Sequence, residues 1–154
     1  MKRDEIKDSI EFFLKVVAGS GTDEAPEAKL QLALDRLALA YHFANFRFDE
    51  KDYPESPVTT YQAMREVVSA TFPKLGYYNV AADISEKIAE SLTNVGDAID
   101  DICDIAGELE NVLWCWDNTT VDNALWHFRF GYESHWGKHL RDLQLYLYAK
   151  EHGW

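Results

Sequence analysis

The chain has 154 residues, 47% hydrophobic and 27% charged. That is enough for one core, read here as a single domain over residues 1–154, and too apolar for a disordered chain. Its 27 acidic against 15 basic side chains leave a formal charge of −12, a field that repels phosphate backbones and anionic lipid and attracts a basic partner.

The first helix is expected from about Asp4 to Ala18, where Ile6, Ile10, Phe13 and Val17 make one apolar stripe. Gly19-Ser20-Gly21 ends it, and Pro26 suits the entry to the next helix. The second helix, from about Glu27 to Phe46, has two apolar faces. Leu30, Leu34, Leu37 and Tyr41 form one. Leu32, Leu39, Phe43 and Phe46 form the other, nearly opposite. Such a helix is either the central helix of a bundle or a partner in a dimer contact, and the central position is the leading expectation.

Asp49 to Pro57 reads as a loop. Thr59 or Thr60 caps a third helix to about Phe72, with Tyr61, Met64, Val67 and Val68 inward. Pro73 and Gly76 break the chain, and Tyr77-Tyr78 is a hydrophobic plug or a pocket rim. From Ala82, Ile84, Ile88 and Leu92 predict a short helix, and a longer one comes next from about Val95 to Trp116. Asp117 to Thr120 is a turn, with Thr119 and Asp122 as an imperfect capping box for a last helix to about Lys150. No stretch alternates long enough to predict a strand. The expected fold is all-α, an up-and-down helical bundle of five to six helices.

No apolar run approaches the ~20 residues of a membrane span, and Met1 to Glu5 mixes bases with acids, unlike a signal peptide. The expected location is the cytoplasm. Cys103 and Cys115 agree with it: on one helix they lie ~18 Å apart, too far for a disulfide, and read as two buried free thiols.

One polar constellation stands out. Asp97, Asp101, Asp104 and Glu108 share a stripe of about 60° on the long helix, beside its apolar face. Like charges at this spacing repel, so something positive is expected nearby. On the last helix Arg129 and His139 lie within the apolar arc of Leu125, Phe128, Tyr132, Trp136, Leu140, Leu143 and Leu147, and His135 lies at its edge. Antiparallel packing would bring them to the acids.

Three readings stay open. In the first, Arg129 bridges to Asp101 or Asp104 and the histidines bond to acids as a structural network that fixes helix register. In the second, His135 and His139, four residues apart, share a metal with Asp101, Asp104 or Glu108 as oxygen ligands; Arg129 nearby would oppose a cation. In the third, Arg129 and the histidines hold an anion against aromatic walls. No phosphate loop, nucleophile elbow or Cys-x-x-Cys is present.

The segments Asp100-Asp101-Ile102-Cys103-Asp104-Ile105 with Glu108-Leu109, and Trp126-His127-Phe128-Arg129-Phe130 with His135-Trp136-Gly137-Lys138-His139, resemble a bacterial family known as a domain of unknown function, 5063. That family has an Asp-Asp-Leu-x-Asp-Ile-x-x-Asp-Leu stretch and closes on Phe-x-x-His-Trp-Gly-x-His. Here Tyr132 stands for the phenylalanine and Glu108 for the later aspartate, and Asp97 matches no family acid. The resemblance implies an all-helical bacterial protein, groups Asp101, Asp104, Glu108, Arg129, His135 and His139 in one signature, and supplies no activity. The leading functional expectation is a non-enzymatic interaction module that binds itself or a basic protein. The alternatives are a metal-binding protein or metal-dependent enzyme, and an acidic inhibitor or immunity-type protein.

Overall fold

Ile6, Ile10, Phe13 and Val17 form one face of α1 (Arg3–Ala18), and all four are buried. The structure, a computed structural model, describes residues 1–21, 24–57 and 59–154. After α1 come α2 (Pro26–Tyr41), α3 (Tyr61–Thr71), β1 (Tyr77–Ala81), β2 (Thr93–Asp97), α4 (Ala98–Asn118), α5 (Val121–Gly131), a π turn (Tyr132–Trp136) and α6 (Gly137–His152). α5, the π turn and α6 run on without a break, so the described residues form a helical bundle with one small hairpin. No helix among the described residues is long and apolar enough to cross a membrane.

The central helix is α4, not α2. It packs against α1, α3, α5 and α6, and it buries Ile99, Ile102, Ile105, Ala106, Leu109 and Val112. α2 buries only the face of Leu30, Leu34 and Leu37; on the other, Leu32, Leu39 and Phe43 are 53%, 52% and 42% exposed and Phe46 is half-buried. A bundle this small has room for one doubly covered helix, and α4, being longer and more apolar, occupies it. In α3, Met64 and Val68 are buried as expected but Tyr61 and Val67 face outward.

The expected helix at Ala82–Leu92 is absent. β1 and β2 pair antiparallel, Tyr77 opposite Asp97 and Tyr78 opposite Gly96, and the Ala82 amide closes the connecting loop on the Leu92 carbonyl at 2.8 Å. Ile84, Ile88 and Leu92 have helical spacing but are 72%, 77% and 75% exposed. A helix this short with nothing to pack on is marginal in water. The backbone instead takes positive φ at Lys87 and Ala89, which no helix tolerates.

Caps set the remaining boundaries. Thr60 accepts from the Ala63 amide at the start of α3, and Asp97 accepts from the Ile99 and Asp100 amides at the start of α4. At α5 the cap is Thr120, which accepts from the Asn123 amide at 3.1 Å. Thr119 instead closes α4 by donating to the Cys115 carbonyl at 2.6 Å, so the expected Thr119–Asp122 box does not form.

The π turn is the feature that most affects the site. The Gly137 amide donates back to the Tyr132 carbonyl, five residues earlier. A Cβ on Gly137 would stand 2.3 Å from that oxygen, and one on Gly131 would stand 2.8 Å from Trp136 Nε1. Both glycines are therefore needed for Trp136 to fold fully into the core against Phe128 and Tyr132. One extra residue in a helical turn rotates the helix beyond it by about 100° relative to the helix before it.

Gly137→Ala should cost roughly 1–3 kcal/mol through this backbone clash and lower the melting temperature by about 3–10 °C. Gly107→Ala is the control: a Cβ there meets nothing within 4 Å, and in mid-helix it should stabilise by about 0.5–1 kcal/mol. Thermal melts of both variants test the assignment, which fails if Gly137→Ala melts like the wild type.

Candidate metal centre

The acid row of α4 begins at its cap. Arg65 from α3 supplies the first counter-charge, its Nη2 lying 2.7 Å from Asp97 Oδ2. The second acid in the row, Asp101, is only 6% exposed. A carboxylate so placed loses several kcal/mol of hydration unless donors replace it. Two do: the Tyr78 hydroxyl donates to Oδ2, and His139 Nδ1 lies 2.6 Å from Oδ1. Each hydrogen bond to a charged group is worth ~1.5–3 kcal/mol.

Tyr78 reaches Asp101 from the hairpin. Its ring stacks on Tyr146 at 4.7 Å and lies across Gly96, where a Cβ would fall 2.7 Å from the ring. Burial, together with the bond to Asp101, pushes the phenol well above its ordinary value, so it stays a donor. The glycine opposite a tyrosine in the hairpin was the sequence signal for this contact, but it reads as a helix interruption until the strands are known.

His139 and His135 are held alike. His139 Nδ1 pairs with Asp101, and His135 Nδ1 lies 3.1 Å from Glu108 Oε1. With each Nδ1 engaged, each Nε2 turns toward the same oxygen: Asp104 Oδ2 lies 3.4 Å from His139 Nε2 and 3.9 Å from His135 Nε2. The rings meet edge to face with centroids 5.0 Å apart. One ligand atom from each of Asp104, His135 and His139 lies within 4.8 Å of the others. The Asp101 hydrogen bond holds His139 above its ordinary value. Burial, with Asp100 nearby, raises Asp104.

Arg129 is not part of this group. Its Nε bonds Glu133 Oε1 at 2.9 Å, and its guanidinium lies over the Tyr41 ring at 5.6 Å. Arg129 precedes the π turn and the histidines occupy or come after it, so the phase read on a straight helix does not hold. The cation expected to oppose a metal is thereby removed from the site, and so is the arginine of the anion-pocket reading.

Asp104, Glu108 and His135 form part of the wall of a cleft of about 830 Å³, with Phe48, Tyr53 and Trp126 among its other sides. The segment 47–57 spans the opposite side. It is tied down where Ser56 Oγ donates to Asn111 Oδ1 at 2.7 Å and the Arg47 amide donates to Asp122 Oδ1 at 3.1 Å. Cys103 and Cys115 are buried free thiols that also line the cleft. Burial pushes Cys103 up to about 11 and raises Cys115 as well, which favours the neutral thiol at both.

Fold and site together define a class: a helical bundle with, among the described residues, a single hairpin, carrying an Asp/His cluster between α4 and the last helix. The chain belongs to the family described as Domain of unknown function (DUF5063), whose model matches residues 4–150. It is similar in fold to protein BF1032 from Bacteroides fragilis, with a TM-score of 0.62 and 14% identity over 96% of this chain and 87% of that one. No curated protein matches it.

The Asp122 carboxyl is held below its ordinary value, first by the Arg47 amide and then by Arg3. A depressed carboxyl stabilises the folded state above its ordinary value, 3.8, and that contribution is lost as pH falls through the folded value. Asp122→Asn should therefore be less stable than wild type at neutral pH, and the gap should close below about pH 4. Urea midpoints from neutral to acid pH measure this; a gap constant with pH would show that the carboxylate does not tie down the segment 47–57.

Proposed function

We propose that the protein binds one divalent transition-metal ion through Asp104, His135 and His139, with its open coordination positions facing the cleft. The observation that carries this is the shared orientation of the imidazoles. Each Nδ1 is fixed by a carboxylate, Asp101 or Glu108, and each Nε2 turns to one oxygen of Asp104. Metal-binding histidines characteristically place their second nitrogen on a carboxylate or carbonyl in this way, which sets the tautomer and raises basicity at the ligating nitrogen.

The distances suit the reading. Ligands on a tetrahedral zinc with bonds of ~2.0–2.1 Å stand ~3.3 Å apart. The two Nε2 to Oδ2 separations of 3.4 and 3.9 Å need to close by less than 1 Å, within reach of the half-exposed His135. Two imidazoles and one carboxylate suit zinc, iron(II), cobalt or nickel better than the hard cations. Three protein ligands leave at least one position for a small oxygen or nitrogen donor. Asp100, Asp101 and Glu108 add negative charge around the cation, and Arg129 stands elsewhere. The function supported best is that of a metal-dependent protein acting on or sensing a small molecule in the cleft, rather than a plain interaction module.

Protein purified without a polyhistidine tag should carry about one equivalent of a transition metal by elemental analysis. After stripping with chelator, calorimetric titration with zinc should give a single site. His135→Ala or His139→Ala should abolish it, and Asp101→Asn should weaken it by roughly 10–100-fold. Saturation at ~1,000 times the dissociation constant should add ~4 kcal/mol of stability. Metal-free purified protein and no heat on titration with zinc, cobalt or nickel would reduce the cluster to a structural ion network.

A further inference from the structure

Gly107 is a mid-helix glycine that the fold does not call for. It lies halfway along α4, its φ is not positive, and a Cβ there would meet nothing within 4 Å. Neither a turn nor a close packing contact requires it, and it weakens the helix relative to alanine. It lines the cleft together with Asp104 and Asn111, one turn to either side. The three share a strip of about 60° on the helix surface at 100° per residue. Bare backbone between a metal ligand and a carboxamide suits a molecule lying close against the helix.

We propose that the cleft takes a slender organic molecule that reaches from the metal across Gly107 and carries a protonated amine at its far end, held by Glu110. The proposal rests on the metal reading above and adds to it the length and charge of the ligand. Glu110 lies further along α4, about 60° to the side of Gly107, and is half-buried in the cleft wall. Among the described residues its carboxylate makes no hydrogen bond or ion pair. A partly desolvated carboxylate without a donor favours a cation beside it. Asn111, next along the chain, accepts from Ser56 Oγ and Cys115 Sγ through Oδ1, which leaves its Nδ2 free to donate to a carbonyl or hydroxyl of the ligand.

The charge of the cleft favours a cation over other occupants. Asp104 and Glu108 serve the histidines, and Asp122 is balanced by Arg3 and Arg47. Of the other charged groups on the wall, Asp49, Glu50, Asp52, Glu55 and Glu110 are set against one base, Lys51. That ammonium already lies over an aromatic face of the cleft, 5.8 Å from the centre of the Tyr53 ring. Such a field repels phosphates and carboxylates and concentrates cations. Phe48, Tyr53 and Trp126 give apolar cover to the chain between the two ends of the ligand. The rise along α4 from Asp104 to Glu110, ~9 Å, sets the distance from the metal-binding group to the amine.

A set of hydroxamates tests this, since the hydroxamate chelates zinc and leaves its tail to report on the far end. The zinc-loaded full chain is titrated by calorimetry. A six-carbon hydroxamate ending in an ammonium should bind roughly tenfold more tightly than the same chain ending in a methyl group, and the chain ending in a carboxylate should bind weakest. A three-carbon ammonium hydroxamate, too short to reach Glu110, should gain nothing over its methyl-ended counterpart. Glu110→Gln should remove the tenfold advantage and leave the methyl-ended chain unchanged. Gly107→Val should weaken all the six-carbon probes by roughly tenfold, while acetohydroxamate, the zinc stoichiometry and the melting temperature stay at or above the wild-type values. Equal affinity for the three tails overturns the inference and leaves the metal reading standing, as does an advantage that survives Glu110→Gln. A chain that takes up no zinc and binds no hydroxamate overturns both.

Discussion

The register of the last helix against α4 is the constraint on which the polar site depends. It is set at the π turn, where the Gly137 amide reaches back five residues to the Tyr132 carbonyl. Before the turn, α5 faces the core with Leu125 and Phe128; after it, α6 does so with Leu140, Leu143 and Leu147. The inserted residue is absorbed where Trp136 enters the core, and fully burying so large a ring is worth ~3 kcal/mol or more. That offsets the poorer geometry of the π hydrogen bonds. As a result His135 and His139 lie over the acids of α4, while Arg129, a few residues earlier, stays outside with Glu133 and Tyr41.

The acid row is a cost that the rest of the bundle offsets piece by piece. Asp97 caps its own helix and pairs with Arg65, so both the helix dipole and a cation stabilise it. Asp101 is the most buried acid, and it takes a phenol and an imidazole. Glu108 takes the other imidazole. Asp104, between them, shares Nε2 of both rings at 3.4 and 3.9 Å, longer than the distance of a good hydrogen bond. It is the least well satisfied carboxylate of the four in direct geometry. A cation placed among its oxygen and the two nitrogens would complete the set. A protonated imidazole, which donates from both nitrogens, would bridge two carboxylates with the same orientation.

How much of this could be read from the sequence varied with the physical cause. Amphipathic stripes and caps are local, so α1, α3 and α4 could be read from spacing, whereas the meeting of the acids with His135 and His139 needed antiparallel packing of the two helices as well. The hairpin could not, because Ile84, Ile88 and Leu92 repeat with the period of a helix face. What decides the backbone there is the lack of any surface to cover them, which is a tertiary fact. Arg129 falls elsewhere because the π turn shifts the helical phase between it and the histidines. The π turn has no strong local pattern, and its only trace is the pair of glycines at 131 and 137. Tyr78 reads as a plug or a pocket rim in the sequence, and its bond to Asp101 depends on the hairpin register that sets it over Gly96.

The apolar outer face of α2 and the histidine cluster meet a common piece of frame. α2 ends at Tyr41, whose ring stacks on Tyr132 at 4.0 Å with planes 18° apart, and Tyr132 provides the carbonyl that closes the π turn. Tyr41 also donates to Glu133 at 2.9 Å. Contact of this kind fixes position rather than transmitting a signal, since coupling requires an element with two discrete arrangements, and a ring stacked this closely between packed helices presents one. Tyr41 and Tyr132 therefore hold in one place the carbonyl that closes the π turn, and with it the side of the helix from which His135 projects.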